Sequence, residues 1–385
     1  MTQPNGTDSI AIVGGGVAGL TAARGLARAG RSVTVFDKGR GVSGRVSTRW
    51  ADDPATGVER RFDHGAQYFT ARDERFAADI ARWTEAGAVA EWTGGLATIE
   101  ASPVGARRVD PPSAKPRYVG VPGMNALGQR LAEEATAGGA QIAVGTRVGA
   151  LKRAGELWRL TPALPDGGAG DDSLGEFGAV IVTAPAPQAA ELLQASPAMA
   201  NAAKSVRMTG GWAAMVAFEE PVAPHGDAGI DGAFINAAEG LEVSGDGEGS
   251  LVEAAGVAAD ATPLSWIARN GSKPGRPAGP GVGDCWVLHG SPAWSEARME
   301  LDAESATALM LHGFWRAVGA EPREAIYLSA HRWRYALPEP PLPDRCLADP
   351  GLSLYAAGDW CGGPRVEGAY LSGLAVAEAA IGASD

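Results

Sequence analysis

The chain is 385 residues long, a length that favours two domains over one compact core. Its net charge of −12 at pH 7, without any run of lysine or arginine, argues against nucleic acid as a partner. The three cysteines form neither a C-x-x-C pair nor a zinc-spaced cluster, so we expect no metal site and no structural disulfide.

The sequence shows no targeting or membrane-spanning segment. Residues 1–9 are polar and lack the basic and apolar regions of a secretory signal. No apolar run reaches the length of a membrane span. We therefore expect a soluble, cytoplasmic protein with no membrane partner, and no feature indicates an oligomeric state.

A strand–helix–strand unit opens the chain. Residues 10–13 predict a buried parallel strand, residues 17–29 a helix that ends before Gly30, and residues 32–36 a second strand. The turn between the first strand and the helix carries the dinucleotide motif Gly14, Gly16, Val17, Ala18 and Gly19. In that motif the first glycine permits the tight turn, the second admits a pyrophosphate and the third lets the helix approach the strand. Replacing Gly16 with valine is expected to fill the pyrophosphate space and strain the turn.

A polar loop follows the second strand. Asp37 ends that strand, where a carboxylate binds ribose hydroxyls and disfavours a 2′-phosphate. The loop then contains Lys38, Gly44 and Arg45. The guanidinium of Arg45 offers a fork of donors to phosphate oxygens. The alternative is an ordinary polar turn after a strand.

The remaining elements are predicted in chain order. Helices are expected at residues 71–87, 124–137, 304–318 and 366–381, a hairpin at 147–160, and buried strands at 179–182 and 352–356. Residues 208–330 alternate short strands with long loops, and residues 223–262 are rich in glycine and aspartate. We interpret residues 223–262 as a surface insertion.

A second glycine motif lies near the end of the chain. The strand at 352–356 runs into Gly358 and Asp359, and Gly368 lies in the first turn of the final helix. A helix N-terminus presents unpaired amides and a partial positive charge, which suits negative charge on a bound ring.

Together these motifs resemble the amine-oxidase class of flavoproteins. The resemblance implies that the Arg45 loop covers the phosphates of FAD, that Asp359 holds the ribityl chain, and that the final helix faces the flavin pyrimidine ring. It adds Ala66, Gln67 and Val148 to the residues that contact FAD, although Val148 fits an ordinary strand residue equally well. The loop departs from the class at Ser43, where glycine is usual.

The chain as a whole resembles the renalase family, especially its bacterial members. The matching stretches are 37–45, 63–69, 121–127, 268–276, 286–289, 331–335 and 358–368. The resemblance implies an α/β protein with a Rossmann-type FAD-binding domain of the para-hydroxybenzoate hydroxylase type and an inserted α+β substrate domain. Residues 1–72, 115–190 and 336–385 form the first domain, and residues 73–114 and 191–335 the second, with the insertion near 223–262.

The family resemblance also implies an activity. Renalases oxidise the 2- and 6-dihydro isomers of NAD(P)H to NAD(P)+, and oxygen reoxidises the flavin to give hydrogen peroxide. A dihydropyridine loses hydride directly, so the enzyme positions its substrate without a nucleophile or a strong base. The expected pocket residues are His331, Asn270, Tyr68 and Trp333. The expected phosphate-binding cations are Arg269, Lys273, Arg276, Arg332 and Arg334.

Each of these assignments has a structural alternative. Tyr68 and Trp333 fit core aromatics, His331 fits a half-buried structural histidine, and the arginines fit a solvated face. Two further functions stay open: an amine oxidase or desaturase that uses Lys273, and a flavin-binding redox sensor without turnover. FAD is expected to bind non-covalently, because neither Cys346 nor Cys361 occupies the linkage position of monoamine oxidases.

Overall fold

The computed structural model describes residues 6–102, 105–109, 115–164, 168, 170, 172–237 and 263–383. Residues 238–262 of the predicted insertion lie outside these ranges. Residues 232–237, which belong to the same predicted insertion, instead form a strand inside a sheet, because Ala233 and Ile235 are buried there.

The described elements run as follows. The strands are β1 (Gly6–Val13), β2 (Ser32–Phe36), β3 (Arg49–Trp50), β4 (Arg61–Phe62), β5 (Val89–Glu91), β6 (Leu96–Ser102), β7 (Gly105–Val109), β8 (Tyr118–Gly120), β9 (Gln141–Ala143), β10 (Val148–Ala154), β11 (Leu157–Pro162), β12 (Gly175–Val182), β13 (Met208–Phe218), β14 (Gly232–Ala237), β15 (Leu264–Arg269), β16 (Asp284–Gly290), β17 (Ala325–Pro338), β18 (Leu347–Asp349) and β19 (Leu354–Ala356). The helices are α1 (Val17–Arg28), α2 (Glu74–Glu85), α3 (Ala126–Ala137), α4 (Ala186–Leu192), α5 (Pro197–Ser205), α6 (Pro292–Ala297), α7 (Ala303–Val318) and α8 (Val366–Gly382).

The first sheet is a Rossmann-like sheet around β1. Its strand order is β10-β11-β12-β1-β2-β9, with β19 beside β12 and β18 beside β19. Strands β2, β1, β12 and β19 run parallel. Side chains of β1 alternate between two cores, Ile10 and Ile12 in one and Ala11 and Val13 in the other. Burial on both faces explains the continuous apolar run that predicted this strand.

The second sheet is mostly antiparallel. Its order is β17-β13-β16-β15-β14-β6-β7. One face packs on α7 through Trp212, Val216 and Phe218 of β13. The opposite face turns towards the first sheet and its helices, since Trp266 of β15 shares a core with Val17 of α1. The site lies between the two sheets for this reason.

Sequence patterns located most elements within a few residues. The opening strand–helix–strand unit, the β10–β11 hairpin and helices α2, α3, α7 and α8 are confirmed. The predicted substrate domain began at residue 191, but α5 packs on the first sheet. Its buried Met199 and Ala203 share a core with Trp158 and Phe177.

Within the described ranges, no helix is both long and apolar enough to cross a bilayer. The cytoplasmic location stays a prediction. The same part of the chain contains no group of three potential metal ligands.

Candidate active site

The glycine turn after β1 has the geometry of a phosphate cradle. A Cβ added at Gly19 would lie 2.0 Å from the carbonyl oxygen of Gly14, so α1 packs directly on the turn. Gly14 has a φ of +118°, which favours glycine. At Gly16, by contrast, φ is −80° and an added Cβ would meet no atom within 4 Å. A side chain at Gly16 would therefore fill open space without straining the turn, which corrects the expectation of strain.

The turn leads into α1 with free donors. Gly16 is the N-cap and provides no side-chain hydrogen bond, and Val17 and Ala18 begin the helix. Both are buried, and Ala18 is overlaid by α8, because a Cβ at Gly373 would lie 2.4 Å from the carbonyl oxygen of Ala18. Because no side chain caps this helix, its first amides are available to an anion above the turn.

Asp37 is fixed where β2 ends. Its carboxylate accepts hydrogen bonds from the amides of Gly15 and Gly39, each at 2.6 Å. The neighbouring Lys38 is exposed and donates to the side chain of Gln188 at 3.2 Å. Val148 begins β10 and is buried in the core with Phe36. The structure therefore places Asp37 at the turn, whereas the ammonium of Lys38 points to α4.

The loop over residues 38–45 covers the glycine turn. The amide of Ser43 donates to the carbonyl of Gly15 at 2.9 Å. Ser43 takes a φ of +97°, so it adopts the conformation for which glycine is usual. Its hydroxyl donates to the carbonyl of Asn125 at 2.9 Å. Space for this side chain exists because residue 128 is glycine: a Cβ there would lie 2.2 Å from the Ser43 hydroxyl.

Arg45 joins the loop to the C-terminal motif. Its guanidinium donates to both carboxylate oxygens of Asp359, at 2.6 and 2.8 Å, and to the carbonyl of Ala336 at 3.0 Å. Gly44 lies against the turn, since a Cβ there would be 3.4 Å from the Cα of Gly16. The residues assigned to phosphate and ribityl binding therefore converge from three distant parts of the chain.

The final helix completes this region. The N-cap of α8 is Arg365, which forms no capping hydrogen bond. Gly368 packs on the preceding turn, as a Cβ there would lie 2.1 Å from the carbonyl oxygen of Gly363. Glu367 accepts from the amides of Arg72 and Asp73 at 2.5 and 2.8 Å. We call the turn 14–19, the segment 37–45 and the segment 358–368 the cofactor frame. Its glycines and uncapped helix ends fit a dinucleotide that carries a pyrophosphate.

The segment 63–67 connects the cofactor frame to the second sheet. The amide of Ala66 donates to the carbonyl of Arg45 at 2.9 Å. The Trp333 indole donates to the carbonyl of His64 at 2.9 Å. The Gln67 side-chain amide lies 3.3 Å from Nε2 of His289. Two strands of the second sheet therefore touch a segment that is itself bonded to the frame.

One row of side chains crosses the second sheet on the face towards the cofactor frame. Pairing across five strands aligns His331, Ala213, His289, Trp266 and Phe234. Directly opposed residues project from the same face of a sheet. We call these five residues the imidazole row. Both histidines and Phe234 are half-buried, so part of each side chain is open to solvent.

A third histidine meets one end of the row. The ring of His64 lies 4.9 Å from that of His331 and stacks on Trp333 at 5.3 Å with an angle of 20°. His331 and Trp333 are themselves 4.3 Å apart. The sequence prediction of a pocket with His331 and Trp333 therefore describes two rings in contact, and the structure adds His64.

These histidines are kept uncharged at neutral pH. Burial lowers the pKa of His64 to about 3, and so does repulsion from Arg49 and from His331 whenever His331 is protonated. Burial, with the charge of Lys273, lowers the pKa of His289 to about 4. The pKa of His331 is also lowered, by burial and then by Arg49. The row therefore presents neutral rings in a positively charged setting.

Tyr68 lies at the other end of the row. Its ring is half-buried, 5.6 Å from Trp266 and 6.3 Å from Trp92. The guanidinium of Arg117 lies 5.6 Å from its centre. Tyr68 is therefore part of an aromatic group separate from His331 and Trp333, although both groups border the same row.

A buried charge cluster supports the segment 63–67 from behind. Asp63 accepts from Lys273 at 3.1 Å, from Thr48 at 2.8 Å, and from Arg276. Burial alone would raise the pKa of Asp63, but the charges of Lys273 and Arg276 bring it to about 2. Burial lowers the pKa of Lys273 to about 8 against the opposing effect of Asp63. Lys273 also donates to Gln67 at 3.1 Å, which turns the Gln67 amide nitrogen towards His289.

Asn270 belongs to this support. It is fully buried, accepts from the amide of Asp63 at 3.1 Å and donates to the carbonyl of Arg61. Both ends of its amide therefore bond to backbone, which corrects the expectation that Asn270 offers its amide to a substrate.

The cations expected to meet phosphates are likewise engaged elsewhere. Lys273 and Arg276 hold Asp63, Arg269 pairs with Asp231 and Asp284, and Arg332 and Arg334 pair with Glu300. On β17, even-numbered residues such as Arg332 and Arg334 face away from the row that holds His331.

Sequence reasoning missed His64, His289 and Arg49 as site residues. The chain has only 5 histidines, and three of them converge here. Period-two alternation along β16 and β17 could have indicated which face each histidine occupies. It could not have shown that both strands pair with β13.

None of the three cysteines is exposed. Cys285 and Cys361 are buried, Cys346 is half-buried, and none forms a disulfide. Burial raises the pKa of the Cys285 thiol to about 12 and also raises that of Cys361.

Two family models match the chain. The model of the NAD(P)-binding Rossmann-like domain matches residues 12–82. The model of the flavin containing amine oxidoreductases matches residues 102–381, which is more than half of the chain.

Solved structures share the fold over the whole length. A protein from Exiguobacterium sp. 255-15, provisionally described as a protoporphyrinogen oxidase, superposes with a TM-score of 0.68 at 11% identity, covering 98% of this chain and 99% of the other. An oxidoreductase from Methanosarcina mazei superposes with a TM-score of 0.65 at 14% identity, covering 96% of this chain and 100% of the other. Putrescine oxidase with bound putrescine superposes with a TM-score of 0.64 at 15% identity, covering 98% of this chain and 100% of the other. Identities this low relate the folds alone. From the family match, the chain belongs to the flavin-containing amine oxidoreductases, and its cofactor is FAD.

Proposed function

We propose that this protein is an FAD-dependent oxidase of the renalase type, which oxidises the 2- and 6-dihydro isomers of NAD(P)H to NAD(P)+. The observation that carries the proposal is the imidazole row, a wall of neutral rings beside the cofactor frame. FAD, when bound non-covalently, accepts hydride and passes the electrons to oxygen as hydrogen peroxide. The same proposal includes the para-hydroxybenzoate hydroxylase type of FAD domain and the two-domain division.

The row suits a dihydronicotinamide ring. The rings of His331 and Trp333 are inclined by 69° to each other, so one can stack on a flat substrate while the other meets its edge. His64 and His289 offer hydrogen bonds to the substrate carboxamide. Loss of hydride leaves no proton to remove, so the reaction requires no charged base. Histidines whose pKa values are held below neutral pH fit that requirement. The chain's own contribution is then the positioning of one ring carbon.

The charges around the row disfavour a cationic amine. Arg49 and Lys273 lower the histidine pKa values, so positive charge reaches the row from two sides. Asp63 lies close, but Lys273 and Arg276 neutralise it. A protonated amine would meet net repulsion here.

Amine oxidation is the second candidate. Membership of the flavin-containing amine oxidoreductases favours it, as does the fold shared with putrescine oxidase. In that reaction Lys273 would have to leave Asp63 and Gln67, its two partners.

Turnover in air distinguishes these functions. The purified enzyme is mixed with a 2- or 6-dihydro isomer, with ordinary NADH, and with putrescine, and oxygen uptake is followed together with NAD+ and peroxide formation. We expect one NAD+ and one hydrogen peroxide for each isomer consumed, and slow uptake with NADH or putrescine. Faster uptake with putrescine would favour amine oxidation, and absence of turnover with all three would favour a redox sensor.

His331→Ala tests the role of the row itself. Removing this ring takes away the edge-on contacts with Trp333 and His64, so reduction of the flavin by the isomers should slow by about tenfold or more. FAD content should stay at the wild-type level, because the frame residues lie elsewhere. Exposed His312→Ala on α7 is the matched control. An unchanged rate in His331→Ala would remove His331 from the site.

A further inference from the structure

A dinucleotide substrate brings phosphates to the row, and the cations expected to meet them are already occupied. Lys273 and Arg276 bind the fully buried Asp63. Arg269 pairs with Asp284 at 3.0 Å. For any of these to bind phosphate, a buried carboxylate would have to lose its partner, which is costly.

Arg49 lies beside the imidazole row and is not occupied in this way. It faces Phe62 in the β3–β4 pair. The same stretch touches the segment 63–67 twice: Ser47 lies 3.4 Å from Nε2 of His64, and Thr48 donates to Asp63 at 2.8 Å. Arg49 therefore borders the end of the row where His64 meets His331.

Electrostatics agree with this placement. The charge of Arg49 lowers the pKa of both His64 and His331. Two rings of one group therefore sense the same guanidinium, which agrees with the position of Arg49 beside both of them.

The guanidinium of Arg49 has no ion pair or hydrogen bond with any residue in the described ranges. The contrast with nearby Arg61 is direct, since Arg61 is held by Asp52 and Glu59. Arg49 is only half-exposed, so an anion would compensate a charge that is partly removed from water.

We infer that Arg49 binds the pyrophosphate of the dihydronicotinamide nucleotide and so makes the site specific for phosphorylated substrates. The inference rests on the proposed function. Arginine suits this role because its planar fork of donors matches two phosphate oxygens at once. Arg49 then anchors the nucleotide tail while the row holds the ring.

The test compares two substrates that share the same reducible ring and ribose, one of which carries the pyrophosphate and adenosine while the other lacks both. Anaerobic flavin reduction is measured against concentration for a 6-dihydro-NAD isomer and for the matching dihydronicotinamide riboside. Arg49→Gln should raise the apparent Kd of the dinucleotide about 10- to 100-fold, because charge-assisted hydrogen bonds are lost. The limiting rate and the Kd of the riboside should stay unchanged. Arg49→Lys should keep part of the affinity, and Arg159→Gln on the exposed hairpin is the charge-matched control.

ADP-ribose provides an independent readout, since it carries the pyrophosphate but no reducible ring. It should inhibit the wild type competitively, and Arg49→Gln about tenfold more weakly. Equal weakening of dinucleotide and riboside, or no weakening of either, would overturn the role of Arg49 while the proposed function stands. If neither isomer reduces the wild-type flavin, the proposed function itself fails.

Discussion

The cofactor frame and the imidazole row are built on opposite principles. In the frame, glycines lie where a side chain would clash with backbone. A Cβ added at Gly19, for example, would lie 2.0 Å from the carbonyl oxygen of Gly14. In the row, large rings from separate strands share one face, as His331 and His289 do on either side of Ala213. A frame that holds backbone close to a phosphate tolerates little change, whereas a wall of rings can vary with the substrate. The comparison predicts that cofactor and substrate selectivity are separable by mutation.

Gly19→Ala should have the largest effect. Its Cβ would overlap the carbonyl of Gly14 and lie 2.7 Å from the hydroxyl of Thr183, so α1 must move off the sheet. We expect loss of FAD together with destabilisation of about 4 kcal/mol or more. Urea unfolding and flavin absorbance measure both. A stable, yellow Gly19→Ala protein would contradict the packing described for the frame.

Gly16→Val should separate cofactor binding from folding. The φ of −80° suits any residue, and the Cβ points into open space. The variant should fold with the thermal stability of wild-type apoprotein but retain little FAD, because the side chain occupies the pyrophosphate position. Normal flavin content would show that the pyrophosphate does not approach Gly16.

Ser43 and Gly128 should behave as a coupled pair. Gly128→Ala places a Cβ 2.2 Å from the Ser43 hydroxyl and should cost about 1–3 kcal/mol of stability. Ser43→Gly removes the hydroxyl and the positive-φ strain, so the double variant should recover part of the loss. Recovery stays partial because the new Cβ would still lie 2.8 Å from the backbone of residue 43. A double-mutant cycle by urea unfolding measures the coupling, and strict additivity would contradict it.

The buried histidines of the site should make the free energy of unfolding depend on pH in mild acid. In unfolded chains histidine has a pKa near 6.5, whereas His289 folds with a pKa of about 4 and His64 with about 3. Between these values the unfolded state binds more protons, so the free energy of unfolding falls as pH drops from about 6.5 to about 4. His289→Gln should reduce this slope by about 1 kcal/mol per pH unit. The exposed His312→Gln is the control, and an equal slope in His289→Gln and the wild type would contradict the burial of a neutral His289.

Much of the frame could be predicted from sequence because its signals are local. Gly14, Gly16 and Gly19 lie within six residues where a strand gives way to a helix, and Asp37 directly follows the next strand. Serine at residue 43, where the class usually has glycine, marked a position whose backbone conformation is unusual, and Ser43 has a φ of +97°. The structure supplied its physical account, which depends on Gly128, a residue far along the chain.

The imidazole row and the two rings at its end, His64 and Trp333, could be predicted only in part. His331 and Trp333 were expected from the family resemblance over residues 331–335, and their alternate positions on one strand bring their rings together. His289 and His64 reach them through the register of β13 with its neighbours and through the Trp333–His64 hydrogen bond. Such register depends on sheet order, which alternation within a strand does not encode. Asn270 was misplaced for the same reason, since its backbone partners lie about two hundred residues away.

The central claim is that the row selects the position of hydride loss. Single-turnover anaerobic stopped-flow measures it most directly, by the rate of flavin bleaching with saturating 6-dihydro-NAD and with saturating ordinary NADH. The account predicts a rate ratio of about a hundredfold or more in favour of the isomer, equivalent to about 2.7 kcal/mol in barrier. Bleaching at equal rates by the two compounds would contradict it.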